Sequence, residues 1–171
     1  MIKKPRLIIL SDIWGNSNPE WAQNLTAYFQ VRHYDCRSLA ELPDSLTTEN
    51  EIHQYFVHKG IQKAVAKICL LETMPIHIIG FSLGGVIAWK ASLGDLKAKH
   101  LFCVSSTRLR LETQKPDASI SLFFGEHDIY APNKEWYAHH QIIPNIIPNQ
   151  DHKVYENECF LKLLLKEVSK T

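Results

Sequence analysis

The sequence predicts an α/β fold: one domain over residues 1–171 with a mostly parallel sheet of about six strands. Three observations lead there. Short apolar runs alternate with helix-period stretches along the whole chain. Runs such as Leu7-Ile8-Ile9-Leu10 lack polar alternation, as expected of strands covered on both faces. Finally, Gly80-Phe81-Ser82-Leu83-Gly84 stands where one such run turns into a helix-like stretch.

Taken in order, Arg6 to Leu10 reads as a central strand, followed by a polar loop from Ser11 to Pro19. Pro19 suits the first turn of a helix running to Phe29. Val31 to Cys36 is the second strand, and Leu42-Pro43-Asp44 breaks the chain. A long helical pattern then runs from Glu49 to Leu71, interrupted at Gly60. Pro75 to Ile79 is the strand before Ser82, and the helix after it extends to Leu93, closed by Gly94. Leu101 to Val104 and Ile120 to Phe124 are the next strands. A helix over Asn133 to His140, a weaker strand over Ile142 to Ile147 and an amphipathic helix over Asn157 to Val168 complete the chain.

Composition narrows the function classes. A formal net charge of +1 gives no reason to expect nucleic acid or an acidic membrane surface as a partner. The four cysteines are scattered without a Cys-x-x-Cys pair, and three of them lie in apolar stretches, which reads as buried free thiols in a reducing cytosol. Met1-Ile2-Lys3-Lys4 resembles the start of a signal peptide, but Leu7 to Leu10 is too short to continue one. No apolar segment approaches the ~20 residues of a membrane span. The expectation is a soluble, cytoplasmic protein with no membrane insertion. No zinc spacing, phosphate loop or dinucleotide fingerprint is present.

The chemistry concentrates on Ser82. A serine hydroxyl is a weak nucleophile at neutral pH, so it needs a base, and the base needs a carboxylate to orient it. Both types occur where strands end, the place at which open parallel sheets bind ligands. Gly125-Glu126-His127-Asp128 follows the fifth strand, and Asp151-His152-Lys153 precedes the last helix. Of the nine histidines, His53, His58, His139 and His140 lie in helical stretches and His33, His77 and His100 at or within strands. Asp128 competes with Glu126 and Asp151 for the orienting role.

On these residues the chain resembles the α/β-hydrolase family over nearly its whole length, and the order Ser82, Asp128, His152 is that family's order. His127 precedes Asp128 and so falls out of order. The resemblance implies a three-layer core in which Ser82 is the nucleophile, His152 the general base and acid, and Asp128 its orienting partner. It implies an oxyanion hole with one backbone donor from Leu83 and one from the loop after the first strand. That loop carries Asp12-Ile13-Trp14-Gly15 in place of the family's His-Gly; matching on Trp-Gly makes Trp14 the donor, with Ile13 the alternative.

Family members commonly insert a helical cap before the strand that bears the acid. Residues 106–119 are too few for one, so the expectation is a compact core with no cap domain and an open, shallow cleft. Arg108 and Arg110 leave the fourth strand at the site edge, as candidates for an anionic substrate group or as solvated surface charges. Trp14 and Tyr130 are candidates for lining an acyl pocket, or for packing. Trp21, Trp89 and Trp136 lie on helical stretches and read as packing residues.

The function these features imply is that of a serine hydrolase of small carboxylic esters or thioesters, working through an acyl-enzyme without a cofactor. A thioesterase acting on acyl-CoA or on an acyl-carrier protein, whose phosphate or acidic surface meets Arg108 and Arg110, is the second reading. A non-catalytic binding protein on the same fold is the rival from another class.

Overall fold

The structure, a computed structural model, describes residues 4–15 and 20–171. Among these residues six strands form one sheet: β1 Arg6–Leu10, β2 Gln30–Tyr34, β3 Ile76–Phe81, β4 Ala98–Val104, β5 Ser119–Gly125 and β6 Asn145–Ile147. Their order is β2-β1-β3-β4-β5-β6 and every pairing is parallel. The chain steps outward from β1 to β2 and then crosses back to β3. The crevice beyond β1 and β3 is therefore the topological switch point, where such sheets bind ligands.

Both faces of the sheet are covered, as the continuous apolar runs require. Alternate residues of β1 serve opposite sides. Ile8 and Leu10 pack with α1 Cys36–Leu39, α2 Glu49–Tyr55, α3 Ile61–Leu71, α4 Leu83–Leu93 and α5 Lys134–His140. Leu7 and Ile9 pack with the 3₁₀ helix Glu20–Ala27 and with α6 Glu158–Val168. α4 is buried nearly all round because it lies under its neighbours as well as on the sheet, and Trp89 at its centre is inaccessible to solvent.

Local chemistry sets the ends of these elements. Thr48 and Glu51 form a reciprocal capping box at the start of α2, while Asn133 and Asn157 cap α5 and α6. Gly94 closes α4. Three boundaries differ from expectation. β2 stops at Tyr34 because Asp35 accepts the Arg37 N–H and caps α1, which takes Cys36 out of the strand. β6 begins at Asn145, since Ile142 donates to Tyr137 O and belongs to the end of α5. The segment 20–27 is 3₁₀ rather than α, and Pro19 lies outside the described residues.

The interruption foreseen at Gly60 is a π-helical turn, Phe56–Gly60, between α2 and α3. Between β4 and β5 stands one short 3₁₀ turn, Thr107–Leu111, and no cap. Cys36 and Cys103 are buried, Cys69 is half-buried and Cys159 is exposed, so fewer thiols are buried than expected. Among the described residues no helix is long and apolar enough to cross a membrane.

A charged clamp ties β1 and β2 to the end of α3. Glu72 is buried; Arg6 donates to both its carboxylate oxygens, and the Tyr34 hydroxyl donates at 2.6 Å. Burial pushes this carboxyl up, but the hydrogen bonds from Arg6 and Tyr34 outweigh it and hold Glu72 below its ordinary value. With a folded value below the unfolded one, the stabilisation is complete above the ordinary carboxylate range. It is lost as pH falls through the folded value. Glu72→Ala is expected to cost about 1.5–3 kcal/mol at neutral pH. Urea midpoints of the two proteins should converge as pH falls below the ordinary carboxylate range and through the lowered folded value of Glu72.

Candidate active site

Ser82 is the residue between β3 and α4, with φ 46° and ψ −108°, a conformation L residues avoid. Such a backbone costs on the order of 1–3 kcal/mol and persists only where the surroundings impose it. Here they do. The Ser82 N–H donates to Val104 O at 2.7 Å. A Cβ on Gly80 would lie 2.4 Å from Gly85 N, and one on Gly84 would lie 2.5 Å from the carbonyl oxygens of Leu10 and Ser11. Only glycine lets the turn fold this tightly and α4 press against β1. The result lifts the Ser82 hydroxyl out of the sheet toward the switch-point crevice.

His152 reaches the same crevice from the turn after β6. Its Nε2 lies 3.1 Å from Ser82 Oγ, and its Nδ1 lies 2.9 Å from Asp128 Oδ2. The Asp128 side chain is almost wholly buried, and its other oxygen accepts the Tyr130 N–H at 3.2 Å. An ionised carboxylate only accepts, so Nδ1 carries the ring proton and Nε2 presents its lone pair to the serine hydroxyl.

The rival acids have other partners. Glu126 accepts from Asn149 N at 2.9 Å and Asp151 from Lys153 N at 2.8 Å, both at exposed sites. The His127 N–H donates to Gln150 O at 2.8 Å, joining the loop of Asp128 to the loop of His152. These bonds hold acid and imidazole in register.

Two backbone N–H groups face the question of an oxyanion. Leu83 opens α4, and N–H groups of a first helical turn have no acceptor within the helix. The loop after β1 departs from expectation. Trp14 N–H is committed to Asp12 Oδ1 at 2.9 Å, and among the described residues the Ile13 N–H meets no acceptor. Asp12 Oδ2 accepts the Tyr155 hydroxyl at 3.2 Å, a link between residues 143 positions apart. Burial and the adjacent Asp12 push the Tyr155 phenol well up, so it stays protonated and donates. Sequence reasoning gave neither residue a role; the one signal was that Asp12-Ile13 stands before Trp14-Gly15 where His-Gly was expected.

A cleft of about 810 Å³ opens over Ser82. The helical segment between β2 and β3 contributes to its lining. His53, Phe56, Val57 and Ile61 from that segment line one side, none of them anticipated as site residues. Thr107, Arg108, Arg110 and Tyr130 line the other. Arg110 is exposed, donates to Thr107 O at 2.9 Å and lies 5.9 Å from the Tyr130 ring centroid. Arg108 is half-buried, with no hydrogen bond or ion pair among the described residues. Trp14 and Tyr130 stand at the rim, 47% and 60% exposed, rather than in its depth. Trp89 and Trp136 pack against each other with centroids 5.8 Å apart, and Trp21 packs on Phe81.

No protein-family model and no curated sequence matches this chain. Solved structures do. A protein of Xanthomonas campestris pv. campestris, described as a hydrolase of the α/β superfamily, superposes with a TM-score of 0.66 at 14% identity. It spans 98% of this chain and 97% of its own. Est1E from Butyrivibrio proteoclasticus, with ferulic acid bound, also gives 0.66 at 14% identity, over 98% of this chain and 88% of that one. ClbQ of the colibactin NRPS/PKS pathway gives 0.63 at 12% identity, over 98% and 96%. At these identities the likeness is one of architecture: the chain has the α/β-hydrolase fold, without a cap.

Proposed function

We propose that this protein is a serine hydrolase that cleaves carboxylic esters or thioesters through an acyl-enzyme. The observation that carries the reading is the continuous line from Ser82 Oγ through His152 to buried Asp128, at 3.1 and 2.9 Å. Ser82 Oγ attacks the carbonyl carbon as His152 Nε2 takes its proton. The imidazolium is stabilised by Asp128 and returns that proton to the leaving oxygen or sulfur. Water then attacks the acyl-enzyme with His152 again as base, freeing the acid and restoring Ser82. Leu83 and Ile13 supply the oxyanion donors, each worth roughly 2.7–4 kcal/mol in such sites. Asp12 and Tyr155 act as positioning residues that hold the Ile13 loop. No step needs a cofactor.

Labelling with a fluorophosphonate probe tests the reading. The native protein should label and Ser82→Ala should not. Labelling that persists in Ser82→Ala refutes the assignment, and a native protein that never labels favours a binding role.

The half-buried Arg108, without a partner among the described residues, supports a narrower reading, in which the substrate carries an anionic group, as a thioester of coenzyme A or of a carrier does. Arg110 and Tyr130 flank it. Replacing Arg108 with Ala should raise KM for an acyl-CoA by about tenfold, a loss of about 1.4 kcal/mol, and leave KM for a neutral p-nitrophenyl ester within twofold. Arg110→Ala should do the same to a smaller extent. Equal effects on both substrates would refute the role.

A further inference from the structure

Resting on the hydrolase reading, we propose that the π-helical turn Phe56–Gly60 builds the acyl-binding side of the cleft, and that the substrate's acyl group is an apolar chain. His53, Phe56, Val57 and Ile61 recur at the spacing of one helix face and line the cleft together. Phe56 and Ile61 are 1% and 6% exposed and pack into the core behind this wall, so half-buried Val57, in the π turn between α2 and α3, forms its surface. Gly60 permits this packing: a Cβ there would lie 2.8 Å from Phe56 Cδ1 and 2.9 Å from Tyr55 Cδ1.

The wall is anchored. Tyr55 donates its hydroxyl to Ala40 O at 2.7 Å and lies within reach of Glu41 O at 2.9 Å, pinning the turn to the segment after α1. Leu83 and Val86 of α4 continue the apolar surface beneath it to the foot of Ser82. His53 and Glu49 on α2 are exposed and stand at its outer end.

Reaction geometry decides which half of the substrate lies there. The leaving group must be within reach of His152 Nε2, which returns the proton to it. His152 arrives from beyond β6, with Lys153 and Tyr155 beside it, and Tyr130 and Arg108 come from the β5 and β4 ends. The sheet order puts the β1 loop on the other side of Ser82, and α3, which continues from the π turn, packs between α1 and α4 on that side. The acyl chain therefore runs toward Val57 and Ile61, and the leaving group toward Arg108.

A series of p-nitrophenyl esters of increasing acyl length tests this. For the native protein kcat/KM should rise about fourfold per methylene over the first few carbons. Val57→Trp, which fills the wall, should lower the octanoate-to-acetate ratio of kcat/KM at least tenfold. A complementary series of acetate esters with lengthening alcohol chains should keep its profile. Val57→Ala, should the larger residue fail to fold, should shift the optimum toward longer acyl chains. An acyl-length profile unchanged in both variants, or a native protein indifferent to acyl length while hydrolysing acetate, overturns the proposal. A native protein that neither hydrolyses acetate nor takes up the fluorophosphonate probe overturns the hydrolase reading itself, and this one with it.

Discussion

Ser82→Ala is expected to lower kcat by about 10⁶-fold toward any ester the native protein hydrolyses. The alanine keeps the turn, since its backbone is imposed by the close approach of Gly80 and Gly84 to their neighbours and by the bond to Val104 O. What disappears is the atom that forms the acyl-enzyme. His152→Ala should cost about as much, and the double variant scarcely more than either alone, because the hydroxyl and its base act as one unit. Single-turnover kinetics on the three variants checks this. Additive losses would mean that Ser82 and His152 do not act in one step, despite their 3.1 Å contact.

Asp128→Asn should lower kcat by roughly 10⁴-fold while changing stability little. The amide keeps the size of the carboxylate and still offers an oxygen to the Tyr130 N–H. Its NH₂ group can donate toward His152 Nδ1, however, and that favours the tautomer with the proton on Nε2. The imidazole then meets Ser82 with a hydrogen in place of a lone pair, and cannot act as base. The rate of fluorophosphonate labelling should fall in parallel with kcat. A labelling rate equal to that of the native protein would remove Asp128 from the mechanism and return Glu126 and Asp151 to consideration.

The parts of the site that were legible in the sequence are those written in local backbone chemistry. Glycines at 80 and 84 mark a turn that only glycine permits, and β1 was read correctly to the residue because Leu7 to Leu10 is an unbroken apolar run, as in strands covered on both faces. Asp128 and His152 follow strands whose ends must meet at one edge of a parallel sheet, so their convergence followed from order alone. The 3₁₀ form of residues 20–27 was not legible, because the apolar period that suggests a helix does not distinguish the two hydrogen-bond spacings.

Order along the chain thus determined the fold class and the two residues, His152 and Asp128, that line up behind Ser82. Three things were left to tertiary structure. One is which loop N–H is left without an acceptor, settled by the side chain of Asp12 taking Trp14 and holding Tyr155. Another is the wall of the cleft, where a single glycine inside a helical pattern read as an interruption. It is the last residue of a π turn, and Phe56, Val57 and Ile61 around it meet the cleft. The last is the volume of the cleft, about 810 Å³, since a missing cap says nothing of the side chains that the segment between β2 and β3 brings to it. The physical reason is common to all three. A turn is specified by neighbours in sequence, whereas an open N–H or a cavity is what remains after distant segments have packed.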